Sequence, residues 1–178
     1  DPPARAMRRE DFDHLLGAAA EIAGEDEIVV IGSQAVLGSV PDPPEALLVS
    51  MEADVYPMHA PGMAERIDGA LGDGSQFHAT WGFYAHGVGP ETAKAPSGWE
   101  ARLIRVRIPP RAGSKRHPVA LCLEIHDLVL AKLAAGRDRD REFADVCLAQ
   151  GLCRLDLLLD RCGDVPIPDG DIEFVRAW

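Results

Sequence analysis

Ile28-Val29-Val30-Ile31-Gly32-Ser33 and, a short way on, Ser50-Met51-Glu52-Ala53-Asp54-Val55 decide how this chain is read. The first is a β-branched apolar run that ends in Gly-Ser and turns into a short predicted helix, Gln34 to Gly38. In the second, two carboxylates stand two residues apart between apolar neighbours. Residues i and i+2 of a strand share a face. Glu52 and Asp54 therefore project side by side, while Met51, Ala53 and Val55 turn inward. Two carboxylates facing one way repel each other unless a cation lies between them, and such a pair is a common grip for Mg²⁺ in phosphoryl-transfer sites.

On its own, Glu-x-Asp on an amphipathic strand is often only a wetted sheet face. The Gly-Ser turn upstream changes the balance. A strand-Gly-Ser-helix turn offers backbone N–H groups and a helix N-terminus to an anion, and Gly32 leaves room for close backbone approach. An anion cradle beside a paired-carboxylate strand is a nucleotide-plus-Mg²⁺ arrangement.

Gly32-Ser33 followed by Ser50-x-Glu52-x-Asp54 resembles the signature of the polymerase-beta-like nucleotidyltransferase superfamily. The spacer between Gly32 and Glu52 is long for a small member and holds the Pro41-Asp42-Pro43-Pro44 loop. A second block, Asp127-Leu128-Val129-Leu130-Ala131-Lys132-Leu133-Ala134-Ala135-Gly136-Arg137-Asp138-Arg139-Asp140, is similar to motifs of the abortive-infection-type nucleotidyltransferase toxins. It is closer still to an uncharacterised small bacterial branch. The resemblance spans most of residues 10–150. It departs from the family in having Glu52 where Asp is commoner and Ser33 in place of a second Gly.

The resemblance implies transfer of a nucleoside monophosphate from an NTP, with two Mg²⁺ ions. Glu52 and Asp54 are the expected metal ligands, and Gly32 and Ser33 the cradle for the β- and γ-phosphates. Members usually add a third carboxylate on a later strand. Glu124, in Leu123-Glu124-Ile125, has the required apolar-acidic-apolar form, although a Glu before a helix is commonly a surface or capping residue. Asp127 is its neighbour and reads as a helix N-cap. Lys132 lies in a Leu/Ala run where an unpaired ammonium is costly, so it reads as a phosphate or carboxylate contact, or as a lysine snorkelling outward. Arg137 and Asp140 either hold the nucleotide or pair with each other.

The 178 residues suit one domain, with a core over about 10–150 and a C-terminal helix and tail over 151–178. No apolar run approaches a membrane span, and Asp1 to Arg9 lacks the apolar segment of a signal peptide, so a cytoplasmic protein is expected. Cys122, Cys147, Cys153 and Cys162 form no C-x-x-C pair, and neither disulfides nor a zinc site are expected. The net charge of −11 argues against a nucleic-acid partner. Yet Arg102, Arg105, Arg107, Arg111, Lys115 and Arg116 cluster with only Glu100 among them. That strip is either a solvated strand face or a polyphosphate or RNA contact.

Periodicity predicts helices over about 10–23, 62–71, 127–136, 139–149 and 152–161, and strands over 27–31, 47–56, 99–108 and 119–125. Residues 75–88 read as a strand or ordered loop, with Trp81 and Tyr84 as either core residues or a base-stacking pair. Residues after Gly163 read as loop plus a terminal piece. The fold class is α+β: a minimal nucleotidyltransferase fold, with a short mixed sheet flanked by helices and a C-terminal helical part.

Three functions compete. The first is a nucleotidyltransferase within a toxin–antitoxin or phage-defence system, acting on tRNA ends, a protein or a small-molecule hydroxyl, with a cognate toxin or antitoxin as partner. The second is a non-catalytic nucleotide- or partner-binding module of the same fold. The third, a metal-dependent hydrolase, is weakened by the absence of paired histidines.

Overall fold

The computed structural model describes residues 7–166, so the predicted terminal piece after Pro166 and the leading segment before Met7 lie outside the described residues. Five strands form one mixed sheet: β1 (Glu27–Val30), β2 (Glu52–Pro57), β3 (Tyr84–Gly87), β4 (Ile104–Arg107) and β5 (Val119–Cys122), in the order β3-β2-β1-β5-β4. β1 runs antiparallel to β2 and parallel to β5, while β2 and β3 are parallel and β4 and β5 antiparallel. The expected α+β class is the one observed.

β1 is central because its sequence allows nothing else. Ile28, Val29 and Val30 are all fully buried, so neighbouring residues of opposite orientation are both covered, as in a strand with helices on both faces. Helix α1 (Arg9–Ala23) packs Phe12, Leu15, Leu16 and Ala19 into this core and stops at Gly24, whose φ of +68° is the left-handed conformation a glycine takes without strain. α2 (Val36–Ser39) follows a 3-10 turn that begins at Ser33. α3 (Ala64–Leu71) and α4 (Gln76–Trp81) precede β3; α5 (Ile125–Ala135), α6 (Asp138–Ala149) and α7 (Leu155–Cys162) form the C-terminal helical part. None of these helices is long and apolar enough to cross a membrane.

The structure corrects several local expectations. The aromatic alternation over 75–88 hides a helix: Ser75 accepts the His78 N–H as its N-cap, and Gly82 closes it at φ +81°. Only Tyr84–Gly87 is strand. β2 begins at Glu52 and not at Leu47, because the chain leaving Pro43-Pro44 forms a 3-10 turn over Glu45–Leu47. Trp99–Arg102 likewise forms a 3-10 turn before β4. At the head of α5 the N-cap is Glu124, whose carboxylate accepts the His126 and Asp127 N–H groups; Asp127 sits inside the first turn. All four cysteines are free and buried.

Candidate active site

The parallel register of β2 and β3 sets Tyr84 opposite Glu52 and His86 opposite Asp54. Ala53, Val55 and Ala85, one step out of phase, are fully buried. The four polar side chains therefore share the other face. The Tyr84 hydroxyl donates to Glu52 Oε2 at 2.8 Å. His86 Nδ1 lies 3.3 Å from Asp54 Oδ1 and 3.4 Å from Glu52 Oε1. Tyr84 is thus committed to a carboxylate, with the His78 ring 4.6 Å away, while half-exposed Trp81 meets His14 edge-on at 4.5 Å.

Beyond β1 the chain passes directly beneath this pair. Ile31 N–H donates to the Asp54 carbonyl at 3.0 Å. A Cβ added at Gly32 would stand 2.7 Å from Asp54 Oδ2, closer than any real side chain is tolerated. Gly32 therefore makes room for the Asp54 carboxylate itself. Buried Gln34 reaches across to donate to the Ser50 carbonyl at 2.8 Å, and the Ser50 hydroxyl accepts the Glu52 N–H, fixing the start of β2.

The second sequence block folds onto the first. Lys132 Nζ donates to Ser33 Oγ at 2.5 Å, lies 3.6 Å from Asp140 Oδ1, and sits 5.0 Å over the Phe143 ring. Asp140, fully buried, also accepts the Arg137 guanidinium at 2.7 and 3.3 Å and the Arg137 N–H at 3.2 Å. Of the two readings of Arg137 and Asp140, the pairing is the one observed, and the same Asp140 carboxylate also faces Lys132. Arg137 remains more than half exposed.

Charge is unevenly balanced across this face. Burial, the hydrogen bond shared with Glu52 and the Glu52 charge push Asp54 up to about 6. Burial also opposes ionisation of Glu52, but hydrogen bonds from Asp54 and Tyr84 and the nearby His86 outweigh it and hold Glu52 below its usual value. Burial lowers Lys132, against the pull of Asp140. Burial and the Glu52 carboxylate push the Tyr84 hydroxyl up to about 12. Among the described residues no lysine or arginine forms an ion pair with Glu52 or Asp54.

Two clefts meet at this point. One of about 360 Å³ has Ser33, Glu52, Asp54 and Lys132 as its polar floor and Leu47, Val49 and Phe143 among its apolar walls. The other, about 150 Å³, opens between Gly32, Asp54, Lys94 and Lys132. Arg137 lines both.

Of the residues picked from the sequence, Gly32, Ser33, Glu52, Asp54, Lys132 and Arg137 come together. Glu124 stands elsewhere: it caps α5, meets His126 Nδ1 at 2.5 Å and Arg161 at 2.7 Å, and lines neither cleft. Half of the basic strip is engaged in ion pairs, with Arg102 on Asp127, Arg105 on Glu27 and Arg116 on Asp26. His86 was missed. Its signal was Tyr84-Ala85-His86, a second polar-apolar-polar triplet, which the aromatic run before it obscured.

The model of one protein family matches residues 10–164: DUF6036, described as a nucleotidyltransferase of unknown function. Among curated proteins and among solved structures, none matches the chain.

Proposed function

The chain belongs to this nucleotidyltransferase family, and from its site we propose that it moves the nucleoside monophosphate of an NTP onto a hydroxyl acceptor with the help of a divalent cation. The observation that carries this reading is the Lys132–Ser33 contact, which ties the two sequence blocks together beside Glu52 and Asp54. Ser33, a cationic side chain and the carboxylate pair then face one cleft, with Gly32 on the adjoining one.

The donor set fits a cation. Burial, together with the neighbouring Glu52 carboxylate, pushes Asp54 up to about 6, and among the described residues no lysine or arginine forms an ion pair with either carboxylate. Glu52, Asp54 and His86 each present one ligand atom, all within 4.8 Å of one another. Mg²⁺ is what the carboxylate pair alone leads one to expect. When bound, the cation would neutralise charge on the transferring phosphoryl group.

The chain's own residues supply the rest. Ser33 and the backbone at Gly32 hold the distal phosphates, with the Lys132 ammonium and Arg137 guanidinium against their charge. The acceptor hydroxyl oxygen attacks the α-phosphorus and gives up its proton to solvent, the bond to the bridging oxygen of the β-phosphate breaks, and pyrophosphate leaves. Leu47, Val49 and Phe143 give the cleft an apolar side. The acceptor is an RNA end, a protein or a small-molecule hydroxyl, as in the toxin–antitoxin and phage-defence enzymes that the motifs resemble, in which case a cognate toxin or antitoxin is the partner.

The test is incubation with a divalent cation, each α-phosphate-labelled NTP, and RNA and protein from a bacterial lysate, beside Asp54→Asn. Label entering one fraction and lost with Asp54→Asn is the expected result. Binding of an NTP without any label would leave the non-catalytic module as the function.

A further inference from the structure

Position 86 holds an imidazole, and β3 aims it between the Glu52 and Asp54 carboxylates. The register Asp54↔His86 places its ring across from Asp54. Nδ1 approaches Asp54 Oδ1 at 3.3 Å and Glu52 Oε1 at 3.4 Å. Ligands bonded to one ion at about 2.1 Å and at right angles lie about 3 Å apart, so these separations suit a shared ion with little movement. The Tyr84 hydroxyl already occupies Glu52 Oε2, which leaves Oε1 for the side facing His86. Such an outer hydrogen bond fixes which oxygen ligates.

From this donor set we infer that the site prefers a first-row transition dication over Mg²⁺, with His86 Nδ1 as the selecting ligand. The inference rests on the transferase reading and deepens it. Mg²⁺ is a hard ion that takes oxygen ligands and gives up water reluctantly. Imidazole adds little to its binding, whereas it strengthens binding of borderline metals, increasingly along the series from Mn²⁺ to Cu²⁺. Two carboxylates and one imidazole on a single face also leave the opposite positions free for phosphate oxygens. The half-exposed His86 ring lets substitutions be made without opening the core.

Mn²⁺ serves as the probe, followed by electron paramagnetic resonance, with Mg²⁺ as competitor and no nucleotide present. Wild type should bind Mn²⁺ roughly tenfold or more tightly than Mg²⁺, and pulsed spectra should show modulation from a directly bound ¹⁴N. His86→Ala and His86→Asp should both lose the nitrogen modulation, and His86→Asp should bring the two affinities close together. Thermal melts of each variant show that it is folded. Equal affinities in wild type, or nitrogen modulation that survives in His86→Ala, would overturn the inference. If Mn²⁺ and Mg²⁺ bind equally while label transfer persists, the metal preference fails and the transferase reading stands. If neither ion binds and no label is transferred, both fail.

Discussion

Two clusters in this molecule each contain a pair of carboxylates, and they are solved in opposite ways. At the head of α5, Asp127 is fully buried and Glu124 partly so, yet both are answered. Arg102 grips Asp127 at 2.8 and 3.0 Å, and Arg161 spans Glu124 at 2.7 Å and Asp127 at 3.2 Å. His126 Nδ1 meets Glu124 Oε1, while its Nε2 accepts the Arg154 backbone N–H at 2.9 Å. Burial opposes ionisation of Glu124, but His126 and Arg161 hold it below its usual value. At the β2–β3 edge, among the described residues, Glu52 and Asp54 meet His86 and the Tyr84 hydroxyl but form no ion pair with a lysine or arginine, and Asp54 rises. Charges matched in number and geometry build the fold. Charges left in excess are what a bound cation would answer in the proposed site.

The comparison breaks most visibly through Asp54→Asn. If the β2–β3 pair exists for a ligand, this change should cut label transfer by about 10³-fold, near 4 kcal/mol of barrier, by weakening charge neutralisation at the phosphorus. The melting temperature should hold or rise, since a repulsion is relieved. Loss of stability instead would make the pair structural.

Asp127→Ala should behave in the converse way. It strands two partly buried guanidiniums, which costs about 3 kcal/mol and lowers the melting temperature by about 6–12 °C in a domain of this size. Below that melt, NTP affinity should remain. Calorimetry and a binding titration on the same sample read both.

Gly32→Ala sharpens the contrast from inside the site. Its Cβ would meet Asp54 Oδ2 at 2.7 Å, and the carboxylate must move. An overpacking cost of about 1–3 kcal/mol is expected, with a drop in transfer that a large metal excess does not restore. A fully active Gly32→Ala would mean that Asp54 has room the structure does not show.

How much of this was legible beforehand follows from how local each signal is. Gly32-Ser33 and Glu52/Asp54 could be read because strand alternation fixes the face of each residue from its immediate neighbours. Lys132 could be read as a buried charge needing a partner, but not that the partner would be Ser33, ninety-nine residues earlier in the chain. His86 was invisible for a related reason. Its value comes from the β2–β3 register, and a four-residue strand between Gly82 and Gly87 carries little periodicity. Glu124 misled because its apolar-acidic-apolar context fits a strand ligand as well as a helix cap; what decides between them is Arg161, thirty-seven residues away. The short helix α4 was lost to the aromatic pattern, although Ser75 and Gly82 bracket it with ordinary capping chemistry.

The smallest effect tests the excess charge itself. The fold raises Asp54 from 3.8 to about 6, so the folded state holds this proton more tightly than the unfolded chain does. The stability it brings is fully present below about pH 4 and is lost as pH rises through about 6. Glu52, held low, works against this by favouring the fold above its ordinary value of 4.5 and losing that advantage as pH falls. Asp54 should prevail between about pH 5 and 7, leaving a net change near 1 kcal/mol once solvent screening is allowed for. With chelator present, the melting temperature should therefore fall by about 2–4 °C across that window. With Mn²⁺ present the slope should reverse, because the ion binds the deprotonated pair and gains affinity as the proton leaves. Asp54→Asn should flatten both curves. A slope unchanged by that substitution would assign the titration to groups outside the β2–β3 edge, and the excess charge there would no longer set it apart from the matched network on α5.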